Sequence, residues 1–159
     1  MVSFVWGSTD SDIDAAGGFA MAEGYYTMHF AGVGTDYPIL KEIVEMYKAQ
    51  GKPAPKEMQY TVYYNRGLLW IALNVEAVRN AIKAKGGQMP TSEDVKAGFE
   101  QIKKLPVGDI APPLEITDAN HEGGGWVQIF QVKGGKFQKT TDWYKAYPEL
   151  IAKIVKEAK

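Results

Sequence analysis

The chain has 159 residues, 45% of them hydrophobic, which suits one globular domain with a real core. With 18 basic and 19 acidic residues the net charge is −1, too weak a field to draw nucleic acid or an anionic membrane. The absence of Cys removes disulfides, thiolate nucleophiles and Cys-based metal sites. No apolar run approaches the about 20 residues of a transmembrane helix, and Met1-Val2-Ser3 with the polar stretch at 7–14 does not read as a signal peptide.

Val2 to Trp6 is a short apolar run that predicts an internal strand. Gly7 to Asp12 is a polar loop rich in helix-capping residues, and a helix is expected from about Asp12 to Ala22, weakened by Gly17-Gly18. Tyr25 to Phe30 reads as a second strand. Asp36 and Pro38 mark the start of a helix carrying Ile39, Leu40, Ile43, Val44 and Tyr47, which stops near Gly51. Lys52-Pro53-Ala54-Pro55-Lys56 is the candidate boundary. A long helix follows over Tyr60 to Lys85, stopped by Gly86-Gly87. Its apolar residues (Leu68, Leu69, Ile71, Ala72, Val75, Val78) surround much of its circumference, so deep burial is expected. Thr91-Ser92-Glu93-Asp94 resembles a capping box and opens a helix to about Lys104. Val107 to Ala119 is irregular. Trp126 to Val132, with Gly134-Gly135 after it, predicts a hairpin, and Asp142 to Lys159 an amphipathic helix with Tyr147, Leu150, Ile151, Ile154 and Val155 on one face.

Ala22-Glu23-Gly24-Tyr25-Tyr26, Phe30-Ala31-Gly32, the helix through Tyr64-Asn65-Arg66-Gly67, and Val127 to Phe137 with Lys133-Gly134-Gly135-Lys136 at its turn occur in one order. That order resembles the C-terminal part of type I periplasmic solute-binding proteins of the branched-chain amino-acid (Leu/Ile/Val) ABC transporter family. The resemblance covers nearly the whole chain but only about the last half of such a protein. It implies an α/β fold in which a mixed, mostly parallel sheet is flanked by helices, here as a truncated lobe open to rearrangement or segment swapping. Within it, 1–52 would be C-terminal-lobe-like, 57–120 N-terminal-lobe-like helices, and 126–159 the hairpin and tail helix. The resemblance also implies capture of a small solute between two lobes and delivery to an ABC permease. The full-length parent would be periplasmic, with its signal further upstream. The chain as given, lacking such a signal, is expected to stay in the cytoplasm. A buried helix without the other lobe's sheet needs new cover, so a homodimer is expected.

Ligands of α/β folds sit outside the carboxyl ends of strands, which singles out Trp6, Ser8 and Thr9 as ligand-binding candidates. Family members that bind aliphatic amino acids often carry a Glu in this loop. This chain has none, so Trp6 points to an apolar or aromatic contact with Ser8 and Thr9 as polar partners. The competing reading is a plain strand-to-helix turn capped by Ser8, Thr9 or Asp10. Tyr63 and Asn65, in a cluster with Tyr60 and Tyr64, form the second candidate group; tyrosines at helical spacing also fit simple packing. His29 is expected to be a satisfied polar residue of a strand, and His121-Glu122 lacks metal-motif spacing. Gly32-Val33-Gly34 and Gly123-Gly124-Gly125 match no phosphate loop, and no nucleophile–base pair stands out. The expectation is a non-enzyme without cofactor: a solute-binding part taking amino acids or small aromatic acids, or else a homodimeric α/β module with no ligand.

Overall fold

A computed structural model describes residues 2–3, 7–121 and 123–157. The elements run β1 (Val2–Ser3), α1 (Asp10–Ala15), β2 (Tyr26–His29), α2 (Pro38–Ala49), α3 (Thr61–Ala84), α4 (Ser92–Phe99), β3 (Trp126–Lys133), β4 (Lys136–Lys139), β5 (Tyr144–Lys145) and α5 (Pro148–Glu157). This is an α/β chain built on a small open sheet.

The sheet orders its strands β1-β2-β3-β4, with β5 also on β3. β1 and β2 pair in parallel, Val2 opposite Tyr26. β2 pairs antiparallel with β3, His29 opposite Gln128, and β3 pairs antiparallel with both β4 and β5. The sheet is therefore mixed, but the expected parallel majority is not found among the described strands. The reason is local: the Gly134-Gly135 turn, both residues at positive φ, folds β4 straight back on β3. A two-residue reversal can only give antiparallel neighbours.

Three helix boundaries differ from expectation. α1 ends at Ala15, not near Ala22, because Gly17 and Gly18 adopt φ of 111° and 89°. α4 ends at Phe99, not near Lys104, and Lys104 itself has φ 52°. The tail becomes β5 before it becomes α5, and the helix cannot begin earlier than Pro148 because Tyr147 has φ 51°. α2 and α3 lie within a residue or two of expectation, Pro38 opening the first as an N1 proline. The capping box of Thr91 and Asp94 at α4 is present.

α3 is the spine of the molecule. Its inner face (Val62, Asn65, Arg66, Leu69, Ala77, Ala81) is buried. Val62 packs with Val33, Phe130 and Phe137. Leu69 packs with Ala31, Val107, Ile110, Ala111 and Leu114. Ala77 packs with Ile102 and Ile116, beside Val95 and Phe99 of α4. The α3–α4 crossing is close because Gly98 faces the backbone of Ala77. The expected deep burial of α3 holds on one side only. Trp70, Ile71, Val75, Val78 and Ile82 are 38–62% exposed. On the outer side Trp70 stacks on Phe30 and Leu68 packs against the Leu69 cluster, while Ile71, Val75, Val78 and Ile82 stay largely open.

Candidate functional site

α3 opens without a cap of its own: Tyr60 at the N-cap makes no side-chain hydrogen bond. The first N–H groups of a helix need acceptors, and here a distant residue supplies one. The Asp10 carboxylate accepts from the Val62 backbone N–H at 2.9 Å and from Thr61 Oγ1 at 3.1 Å. The positive end of the helix favours a carboxylate at this place. Burial pushes the Asp10 pKa above its ordinary value, and the bonds from Val62, its own backbone and Thr61 hold it back. Asp10 therefore fastens the loop at 7–10 to the first turn of α3.

That clasp decides where the candidate residues sit. Thr9 is fully buried and forms a capping box with Asp12, accepting from the Asp12 N–H and donating to Asp12 Oδ2 at 2.8 Å. Ser8 is likewise fully buried. Trp6 lies outside the described residues. Asn65 is buried too: its side-chain amide donates to the carbonyls of Gly32 at 2.8 Å and Gly34 at 3.0 Å, tying α3 to the chain after β2. Tyr63 is 49% exposed.

Tyr63 lines a groove of about 620 Å³ together with Ser11, Glu57, Tyr60, Tyr64 and Ile71. Ser11 bonds Thr9 through their hydroxyls at 2.9 Å, so the loop after β1 and the start of α3 share this groove. Its walls are tyrosine faces and aliphatic side chains, and its polar groups are few: the Ser11 and tyrosine hydroxyls and the Glu57 carboxylate. Burial raises the Tyr64 pKa, with Tyr47 and Glu57 adding to it, so its phenol stays a hydrogen-bond donor at neutral pH. Ser11 and Glu57 carried no sequence signal. Glu57 sits in a short 3-10 turn, Lys56–Gln59, after a proline-rich stretch with no periodicity. A larger depression of about 810 Å³ lies between α5 and the loop 118–125 and holds none of the candidate residues.

On its inner face the helix contributes Arg66 to a buried polar pair with His29 of β2. His29 is fully buried, with Thr27 Oγ1 3.0 Å from Nε2 and Arg66 Nη2 3.0 Å from Nδ1. A guanidinium can only donate, so Nδ1 accepts and the ring proton sits on Nε2, which donates to Thr27. Burial, then the Arg66 charge, lowers the His29 pKa to about 3. Arg66 also lies over the Phe30 ring at 4.9 Å. His29 is the satisfied strand residue that its setting suggested. Among the described residues, no group of three or more metal-ligating side chains is gathered, and no helix is long and apolar enough to cross a membrane.

No family model and no curated protein matches the sequence. Solved structures do. One from the Pseudomonas fluorescens group, described as an ABC transporter permease, has 28% identity and a TM-score of 0.82, covering 99% of this chain and 40% of that one. A branched-chain amino acid ABC transporter from Thermus thermophilus with bound valine has 22% identity and a TM-score of 0.75, covering 96% and 40%. An ABC transporter substrate-binding protein from Aeropyrum pernix has 17% identity and a TM-score of 0.68, covering 96% and 39%. The chain thus spans about 40% of the length of these neighbours. They are type I periplasmic binding proteins of ABC transporters, transport proteins and not enzymes, and the chain has the fold of such domains.

Proposed function

We propose that the chain is the C-terminal part of a solute-binding protein of an ABC import system, which captures an amino acid or small aromatic acid and hands it to a membrane permease. In the full-length parent this takes place in the periplasm. The observation that carries the reading is the clasp between Asp10 and the start of α3, because it sets the loop after β1 against a tyrosine-lined groove. A solute with an apolar body and a polar end suits that lining. Valine, bound in the Thermus thermophilus neighbour, is a solute of this kind. Tyr63 is the accessible candidate contact. Ser8 and Thr9 act behind it as the loop's internal supports, and Asn65 holds α3 in place.

Calorimetric titration of the chain with L-valine, L-leucine and phenylacetate tests the reading. Saturable binding of one of them, weakened about tenfold or more by Tyr63→Ala, is the expected result (a loss of roughly 1.4 kcal/mol). Absence of heat from all three at millimolar concentration excludes capture by this chain. A second reading, a homodimeric α/β module that binds no solute, is favoured by the exposed outer stripe of α3.

A further inference from the structure

A second pocket, of about 700 Å³, is lined by none of Ser8, Thr9, Tyr63 and Asn65. Its lining comes from four stretches of this chain, 10–19, 33–36, 61 and 135–139, so its shape is set within the chain. Asp10 and Thr61 are its buried polar members, each 8% exposed. Thr61 gives its hydroxyl proton to Asp10, so both present oxygen acceptors to the pocket and no donor. The Asp10 carboxylate is bonded by the Val62 N–H, its own backbone and the Thr61 hydroxyl, and a carboxylate has room for about four donors. Those donors are neutral. Burial raises the Asp10 pKa against their pull, and the charge acting on it, Asp14, is a second acid. Among the described residues no cation pairs with it: Lys139 of the pocket meets Asp142 at 3.3 Å, and Asp36 meets Lys41 at 3.6 Å. Phe19 and Phe137, edge to face at 5.4 Å, supply the apolar wall with Val33. Aromatic rings also attract a cation.

We propose that this pocket binds a small organic amine, its ammonium donating to Asp10 and Thr61 and its short apolar body lying against Phe19, Phe137 and Val33. The site goes beyond the groove and does not rest on it, since the two share no lining residue. An ammonium carries three donors and no acceptor, the complement of an acceptor-only pair of side chains. Its bonds to a carboxylate sheltered from water are charge-assisted and short. A small anion is refused at the same place, because Asp10 meets it with like charge and without a donor. A neutral alcohol gives a hydrogen bond and leaves the carboxylate charge unmatched. Lys136, on the exposed β4 end of the pocket, repels a second ammonium, which favours a monoamine over a diamine. Because Asp10 also caps α3, the bound amine tightens the clasp.

Calorimetric titration of the chain with n-pentylamine at neutral pH tests this, with pentanoate as the probe of equal length and opposite charge. Saturable heat from the amine and none from the acid is the expected result. Asp10→Asn keeps an acceptor for the first turn of α3 and removes the charge. It should weaken the amine about tenfold or more, with unchanged circular dichroism. Lys136→Glu, at an exposed hairpin position, should tighten the amine about threefold. Tyr63→Ala separates the two sites: it should weaken valine in the groove and leave pentylamine as it was. The proposal is overturned by no saturable heat from pentylamine, by equal binding of pentanoate, or by an Asp10→Asn chain that binds the amine as wild type does. Loss of the amine with Tyr63→Ala overturns it as well, by moving the amine to the groove. If pentylamine binds while valine, leucine and phenylacetate give no heat, the pocket stands and capture in the groove fails.

Discussion

Asp10 is the residue on which the site hangs, and its environment sets two measurable responses. Asp10→Ala removes the acceptor of Val62 N–H and Thr61 and should destabilise the chain by about 1–2 kcal/mol in urea denaturation, the range of lost helix caps. Asp10→Asn keeps an acceptor in place and should cost less. Because burial raises the Asp10 pKa, its carboxyl is best tolerated when protonated. The stability it lends is full below the unfolded value and falls as pH rises through the folded one. Wild type should therefore lose ground to Asp10→Asn across that window.

His29 responds in the opposite sense. Its folded pKa is lowered to about 3 from 6.5, so the unfolded chain takes up a proton that the folded chain refuses. Stability is full above 6.5 and is lost as pH falls toward 3, by up to about 1.4 kcal/mol per pH unit. Urea midpoints should drop between about pH 7.5 and about pH 5. His29→Gln should flatten that drop; an equal drop in the variant would remove His29 as its source. The sequence announced the local half of these arrangements. A histidine flanked by apolar strand residues is recognisably a buried one. The partners were hidden, since Asp10 meets α3 across 51 residues and Arg66 meets His29 across 37.

At the scale of elements, the α3–α4 crossing depends on one missing side chain. A Cβ on Gly98 would run into the Ala77 carbonyl oxygen, and Ala81 N lies 3.2 Å from the same point. Backbone cannot move aside cheaply, so Gly98→Ala should cost roughly 1–3 kcal/mol. The thermal midpoint falls by roughly 2–4 °C per kcal/mol in a chain of this size. A midpoint equal to wild type would mean that α4 slides freely on α3. α5 predicts the reverse. It buries no residue, and Leu150, Ile151, Ile154 and Val155 remain 40–54% exposed. Truncation before Pro148 should move the midpoint by less than about 2 °C. The starts of α2 and α4 were legible, since Pro38 and the Thr91–Asp94 box state their roles within four residues of sequence. The end of α4 and the start of α5 were not, because positive φ at Lys104 and at Tyr147 follows from how the adjoining segment turns on the fold. α3 misled by its own richness: apolar residues on two sides predict burial on two sides, and the described residues provide one.

At the scale of the whole molecule, the α/β class and the β3–β4 hairpin were readable, but the dominance of antiparallel pairing was not, because β2 joins β3 from the far end of the chain and β5 turns back onto it as well. The groove was half visible. Its tyrosines and Glu57 lie close together in the sequence, while Ser11 joins them only through folding.

The clasp at Asp10 also orders events in time. α3 and α4 are close in sequence and can dock early, whereas the acceptor for the first turn of α3 arrives from the other end of a long loop. The expectation is that folding crosses its barrier with that turn still uncapped and that the N-terminal segment latches on afterwards. Removing the latch should leave the refolding rate almost untouched and accelerate unfolding instead. On that expectation, the part of the molecule that shapes the groove closes last and lets go first.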